Sequence, residues 1–454
     1  MASLVREGAL SPVELVDAHL RQIESSNPAI NAFAIVRAED ARREARLAEA
    51  AVKRGAALGL LHGLPVTVKD SFDVAGLPTR TGSRMRPDTP AAADAPAVAS
   101  LRAAGAIVLG KTNTPEMLAA FETDNCLTGR TNNPWNPERT PGGSSGGEAA
   151  AIASFCSPGG LGTDGGGSVR VPAHFCGIAG LKTTPGRIPV SGHFPSLGYP
   201  MGMLAVAGPM ARDARDLQLL LSVLAGYDPL DPFSVPVPLR KPDPKAATIG
   251  VWEQFYAIPV APEVRSAVRQ AVALLGSAGF TTEEFQPAGL DRAPNVWAAL
   301  FKWPLSALRK LAEGREDELH WTLREALPAA EPTAGDLLLN LATRDRLRAS
   351  FLRQLEKRAA VVMPVCGVTA FPHRQRKFAA GESEFGLFQA MMPAVLANVL
   401  GLPAVTVPIS LSQEGLPVGV QLIGRPFDDE LLLEIAARLE EARGPWTAAP
   451  VALL

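Results

Sequence analysis

The sequence predicts an α/β protein in which helices cover both faces of a β-sheet, and three observations carry that expectation. Stretches with apolar residues at helical spacing recur along the chain. Short β-branched runs fall between them, the alternation that places helices on both sides of a sheet. With 454 residues, 47% of them hydrophobic, the chain is also long enough to bury a large core, although length alone does not choose between one large domain and two or three smaller ones.

In chain order, Ser11-Pro12-Val13-Glu14 has the form of a capping box and opens a helix over 12–25, and the next helical period covers 38–54. Val66-Thr67-Val68 reads as a strand, 93–104 as a helix and Ala106-Ile107-Val108-Leu109 as a second strand. Helical spacing returns at 147–156 and 212–225. The stretch 228–245 holds six prolines, a composition that suits a linker or a surface excursion. Thr248-Ile249-Gly250-Val251 is a strand and 262–278 a helix. Residues 293–330 are rich in large apolar side chains, Trp297, Leu300, Phe301, Trp303 and Leu308, broken by Pro304; they suit either helix packing or the wall of an apolar channel. A helix over 337–358 leads to the strand Ala360-Val361-Val362-Met363. Two more strands, Ala404-Val405-Thr406-Val407 and Val418-Gly419-Val420-Gln421-Leu422-Ile423, precede a last helix over 428–442.

Composition narrows the function classes. The formal net charge is −2 with both signs interspersed, which leaves no electrostatic footprint for nucleic acid or an anionic membrane and favours a small neutral substrate. Cys126, Cys156, Cys176 and Cys366 lack C-x-x-C spacing and read as buried reduced thiols. The start of the chain lacks a basic region followed by an apolar one, and no run of about eighteen apolar residues occurs. The expectation is a cytoplasmic protein without a membrane anchor. No H-E-x-x-H or paired-cysteine spacing marks a metal site, and no cofactor is expected. Gly160–Gly165 matches a dinucleotide fingerprint and Gly105–Thr112 a P-loop only formally. The first lacks a clear strand before it, and the second has a buried strand where a flexible loop is needed.

The chemistry concentrates in Gly142-Gly143-Ser144-Ser145-Gly146-Gly147 and in Gly162-Thr163-Asp164-Gly165-Gly166-Gly167-Ser168-Val169-Arg170, two serines set in backbone that few other residues tolerate. Upstream, Gly63-Leu64-Pro65-Val66-Thr67-Val68-Lys69-Asp70 reads as an apolar strand delivering a lysine at its end. Lys69, Ser144 and Ser168 together resemble the Lys-Ser-Ser triad of the amidase signature family. The resemblance continues through Gly110-Lys111-Thr112-Asn113, Gly129 to Asn136 and Ala173 to Gly186, and so covers nearly the whole chain. It implies a single domain over 1–454 built on one large mixed, twisted sheet, with a catalytic core at about 60–215, a surface excursion at 228–245 and a variable helical region at about 290–340 that shapes the substrate pocket.

Within that resemblance Ser168 is the nucleophile, since side chains on the three preceding residues would obstruct the approach of amides to an oxyanion. Amides of Gly165, Gly166, Gly167 and Ser168 would form the oxyanion hole, where one donor is commonly worth about 3 kcal/mol. Lys69 is the base, provided burial lowers its amine from the ordinary value of about 10.4 towards neutrality. Pairing of Lys69 with Asp70 is the competing reading, disfavoured because adjacent strand residues point to opposite faces. Ser144, by resemblance at a cis peptide bond after Gly143, accepts one hydrogen bond while donating another and relays protons. Ser145 is its rival for that role. Asp164 and Arg170 would pair to brace the loop, with Thr163 adding a hydroxyl; Asp164 as a base would place negative charge beside a developing oxyanion. His174 reads as a packed residue beside Cys176. Met117, Phe121, Phe194, Leu197, Met201 and Met203 are candidate pocket residues.

The expected activity is hydrolysis of an apolar or aryl carboxylic amide through an acyl-enzyme on Ser168, with carbamate (urethane) or ester cleavage possible, in a form closest to fatty-acid-amide-hydrolase-like amidases. The expected assembly is a monomer or homodimer. The alternative is the A-type glutaminase component of a tRNA-dependent amidotransferase, which works beside partner proteins; a non-catalytic binding protein is a third reading.

Overall fold

In the computed structural model, which describes residues 1–244, 247–380 and 383–453, the β-branched runs pair into one sheet. Eleven strands build it: β1 (Phe33–Val36), β2 (Pro65–Lys69), β3 (Ile107–Thr112), β4 (Gly159–Asp164), β5 (Ala179–Lys182), β6 (Val206–Ala211), β7 (Thr248–Val251), β8 (Thr281–Glu284), β9 (Ala360–Pro364) and, after the separate hairpin of β10 (Lys377–Ala380) and β11 (Ser383–Gly386), β12 (Ala404–Leu411) and β13 (Pro417–Gly424). The order across the sheet is β1-β3-β2-β4-β6-β5-β12-β13-β9-β7-β8. β2 runs parallel to β3 and β4, and β7 to β8 and β9, while the middle of the sheet is antiparallel, so the sheet is mixed as expected.

Alternation along the strands divides the core between the two faces. Val66, Val68, Val108, Val362 and Leu422 join one cluster with the helices Pro96–Ala103, Ala214–Leu224, Pro262–Ser277 and Asp429–Arg443. Their neighbours Val361, Met363 and Ile423 pack on the other face against the helices Ala293–Leu311, Ala334–Leu355 and Leu387–Val399, and Ile107 and Leu109 against Pro12–Ile30 and Ala38–Lys53. The strands before and after 228–244 belong to the same sheet, and that stretch carries neither helix nor strand; Lys245, at the end of the proline-rich segment, lies outside the described residues.

The periodic helices and β-branched strands lie where the sequence places them. Ser11 caps its helix by accepting from the Val13 and Glu14 amides, and the helix runs on through Pro28 to Ile30. Pro304 does not break the apolar segment: it sits half-buried inside the helix Ala293–Leu311. Leu387–Val399, buried nearly all round, has no polar stripe to announce it. Also unmarked in the sequence are the helix Arg170–Cys176 and the strands β1, β4, β5, β6, β8, β10 and β11; at β4 the reason is that Gly159-Gly160-Leu161-Gly162 lacks strand-forming side chains. A Cβ at Gly160 would collide with the Glu148 carboxylate and the Thr67 carbonyl, so this strand is glycine-rich to admit the helix Gly146–Ala153 close against the sheet. Three of the four unpaired cysteines are buried as expected; Cys126 is only half-buried.

Candidate active site

Lys69 ends β2, and with Val66 and Val68 in the core on one face, Thr67 and Lys69 are turned to the other. There the Lys69 amine, fully buried, lies 2.7 Å from the Ser144 hydroxyl and 2.8 Å from that of Thr163. Burial lowers its pKa to about 7, against the opposing pull of Asp164 and Glu148. Asp70 does not compete for it: it points away and pairs with Lys111 at 2.7 Å. Glu148, a residue the motif reading passed over, sits behind Lys69. Its carboxyl accepts from Thr67 and, at 2.7 Å, from Thr112, the register partner of Lys69 on β3. Burial raises Glu148 to about 7, so neither member of this neighbourhood is strongly held in its charged form at neutral pH.

Ser144 follows Gly143 across a cis peptide bond, as the resemblance implies. Ser145 is tied elsewhere: its amide donates to the Ser168 carbonyl at 3.1 Å and its hydroxyl lies 3.3 Å from the backbone of Thr163. Ser145 therefore joins the two glycine-rich segments but does not touch Lys69.

Asp164 organises the second segment. It accepts from the amides of Gly167 (2.8 Å), Val169 (3.2 Å) and Arg170 (3.4 Å), and forms a fully buried ion pair with the Arg170 guanidinium at 3.0 Å. Burial alone would raise the Asp164 pKa; Arg170, Lys182 and Asn398 overcome it and hold the carboxylate well below its ordinary range. Arg170 reaches further, to Ala394, Gln421 and Asn398, at 2.6 to 2.7 Å. Arg170→Met should therefore leave Asp164 charged, buried and unpaired, and lower stability by about 3–5 kcal/mol in chemical denaturation.

The Gly167 amide, expected among the oxyanion donors, is committed to Asp164. The amides of Gly165, Gly166 and Ser168 have no acceptor among the described residues, nor does the Ser168 hydroxyl have a partner. Ser168, Ser144, Thr163 and Gly165 all border one cavity of about 60 Å³. Its remaining wall is mostly apolar: Met117, Met201, Phe301, Leu305 and Leu308 are among the residues lining it, and no charged side chain among the described residues does. The helical region at about 290–340 thus contributes pocket wall as well as core.

Three expected pocket residues are elsewhere, and one of them, Met203, packs on the core cluster that holds Leu204 and Leu300. Phe121 lines a neighbouring groove of about 380 Å³ that shares Ala119, Phe301 and Leu305 with the cavity. Phe194 precedes a cis proline and packs under the Arg86 guanidinium, 3.8 Å from its ring centre. His174 is a structural residue, since its Nδ1 accepts from Gly419 and its Nε2 lies 3.1 Å from the Val368 carbonyl; burial lowers its pKa to about 4. His193, missed in the sequence, borders the cavity; burial first, and Lys69 with it, lowers its pKa to about 3.

Comparison with known proteins finds relatives over nearly the whole chain. The family model described as Amidase matches residues 14–433. The chain is 35% identical to indoleacetamide hydrolase of Bradyrhizobium diazoefficiens over 98% of its own length and 86% of that protein. It is 36% identical to the A-type component of the glutamyl-tRNA(Gln) amidotransferase of Roseiflexus castenholzii, over 95% and 92% of the two chains. Among solved structures, that of 6-aminohexanoate cyclic dimer hydrolase complexed with substrate superposes with a TM-score of 0.87 at 31% identity, covering 99% of this chain and 98% of the other.

Proposed function

This chain belongs to the amidase family, and from that premise we propose that it is a serine hydrolase of apolar or aryl carboxylic amides. One observation carries the reading: a fully buried lysine with a pKa lowered to about 7 bonds to Ser144, which borders one cavity together with Ser168 and the unpartnered Gly165 amide. In this mechanism Ser168 Oγ attacks the amide carbonyl while its proton passes through Ser144 Oγ to neutral Lys69. Amides of Gly165, Gly166 and Ser168 stabilise the oxyanion. The proton then returns by the same relay to the departing nitrogen, leaving the acyl group on Ser168, and water attacks that ester with Lys69 again as base.

Ser144→Ala should lower amide kcat/KM by about 10²- to 10⁴-fold, less than loss of the nucleophile, because a water can partly replace the relay. Steady-state kinetics on a p-nitroanilide measures it; an unaltered rate would remove Ser144 from the path.

The apolar wall supports an aliphatic or aryl substituent, and the adjoining groove offers space for a longer arm. Carbamates and esters present the same carbonyl to the same serine and are secondary candidates. The glutaminase reading has the amidotransferase relatives in its favour. Against it, no charged side chain among the described residues lines the cavity beside Ser168 to hold the ammonium and carboxylate of glutamine; Glu122, Lys302, Glu325 and Arg376 line the adjoining groove instead. A hydrolysis screen of p-nitroanilides and fatty amides of graded chain length, aryl carbamates and glutamine separates these readings: the expected result is turnover of apolar amides without glutamine hydrolysis, and glutamine as the sole substrate would reverse it.

A further inference from the structure

We propose that Trp297 is a positioning residue for the oxyanion loop, an inference that rests on Ser168 acting as the nucleophile. The segment Gly165-Gly166-Gly167 has no backbone preference of its own, since glycine reaches most of the allowed conformations with similar ease. Something outside it must choose one. Asp164 fixes the downstream amides of Gly167, Val169 and Arg170. Two side chains fix the upstream peptides from their carbonyl side: Asn398 Nδ2 donates to the Asp164 carbonyl at 3.0 Å, and Trp297 Nε1 donates to the Gly165 carbonyl at 2.7 Å. In a trans peptide the C=O and N–H point in opposite directions. Tying the Gly165 carbonyl to the indole therefore turns the Gly166 N–H away from it, and that amide has no acceptor among the described residues.

The indole is held firmly enough for this task. It is 7% exposed, stacked on Phe301 with ring centres 4.6 Å apart and on Phe388 at 5.9 Å. Its six-membered ring fills the space beside Gly166, where a Cβ would lie 2.5 Å from Cζ2. Trp297 also stands on the helix that supplies Phe301, Pro304, Leu305 and Leu308 to the cavity wall. One helix thus shapes the substrate wall and orients the peptide that would meet the oxyanion.

An oxyanion donor acts on the tetrahedral intermediate far more than on the bound amide, so loosening it lowers kcat rather than raising KM. Trp297→Phe keeps an aromatic ring and removes the N–H. Replacement of Trp297 by 3-benzothienylalanine removes the N–H while keeping the shape of the indole, and so retains the packing should the phenylalanine variant fail to fold. The expected result for either is a fall in kcat of about 10-fold or more, KM within about 2-fold of wild type, a melting temperature lowered by no more than a few degrees for the isosteric variant, as for loss of one hydrogen bond, and a proportional loss of affinity for a trifluoromethyl ketone matched to the substrate. Unaltered kcat, or a loss confined to KM with unaltered ketone affinity, would overturn the proposal and leave Trp297 as packing. Fluorophosphonate labelling of the wild-type protein, mapped by mass spectrometry, separates the two levels: label on Ser168 with wild-type behaviour of both variants defeats the Trp297 role alone, whereas label absent from Ser168 defeats the serine mechanism and this inference with it.

Discussion

Ser168→Ala is expected to abolish amide turnover, a loss on the order of 10⁶-fold, with no measurable change in stability. The two halves of that expectation have separate grounds. The Ser168 hydroxyl has no hydrogen-bond partner among the described residues, so removing it leaves no buried group unsatisfied. What holds the loop is backbone and Asp164: the Ser168 carbonyl accepts from Ser145, and the Gly167 and Val169 amides are fixed on either side. A methyl group fits where the hydroxymethyl stood. The check is paired, with kcat/KM on a p-nitroanilide read against the thermal melting curve and fluorophosphonate labelling of wild type and variant compared. Wild-type labelling of Ser168→Ala would assign the nucleophile to another serine, with Ser144 and Ser145 the first to test.

The legible part of this protein was the part written in residue type and spacing. Periodic helices such as Ala38–Lys53 and Pro262–Ser277 have one polar face and declare themselves, as do the β-branched strands β2, β3, β9, β12 and β13. β4 did not, because closeness to the Gly146–Ala153 helix demands glycine where strand propensity would ask for valine. The same division runs through the site. Lys69, Ser144, Ser168, Asp164 and Arg170 lie in dense local motifs and are found together in space. Asn398 and Gln421 reach those motifs through the fold from more than two hundred positions away, and no local pattern marks them or the cavity-lining His193; Trp297 stands in the apolar segment 293–330, whose composition does not tell that its indole bonds to Gly165. Glu148 left one faint signal, a carboxyl in the otherwise apolar segment Gly146–Ala153. Phe194 shows the converse, since proximity in sequence to the motif does not place an aromatic ring in the cavity, and Phe121 lines the adjoining groove instead.

Lys69→Ala should separate two tasks that the wild-type enzyme performs with one group. As base, neutral Lys69 takes the Ser168 proton through Ser144; as acid, the resulting ammonium protonates the departing nitrogen. Activated esters need only the first task, because a phenolate leaves without full prior protonation, whereas an amide anion is too basic to leave unaided. Loss of the amine should therefore lower amide kcat/KM by about 10⁴-fold or more, the upper range for a positioned acid–base group. It should also lower the ratio of amide to matched ester kcat/KM by at least about 10-fold, roughly 1.4 kcal/mol of transition-state discrimination. The pH profile gives an independent reading whose sign follows from the environment. Burial lowers the Lys69 pKa to about 7, so the neutral base predominates above that pH and is lost below it. Wild-type kcat/KM should rise as pH increases through about 7, and this acid limb should vanish in Lys69→Ala, leaving the residual rate to follow hydroxide alone. Glu148 and Asp164, the two carboxylates that oppose the effect of burial, predict the direction of a further change: Glu148→Gln removes the partial negative charge that Glu148, raised to about 7, carries beside the amine and should move the acid limb modestly to lower pH. Equal losses of amide and ester activity, measured where acylation limits both, together with an acid limb that survives in Lys69→Ala, would deny Lys69 the dual role and leave it a residue that fills and polarises the site.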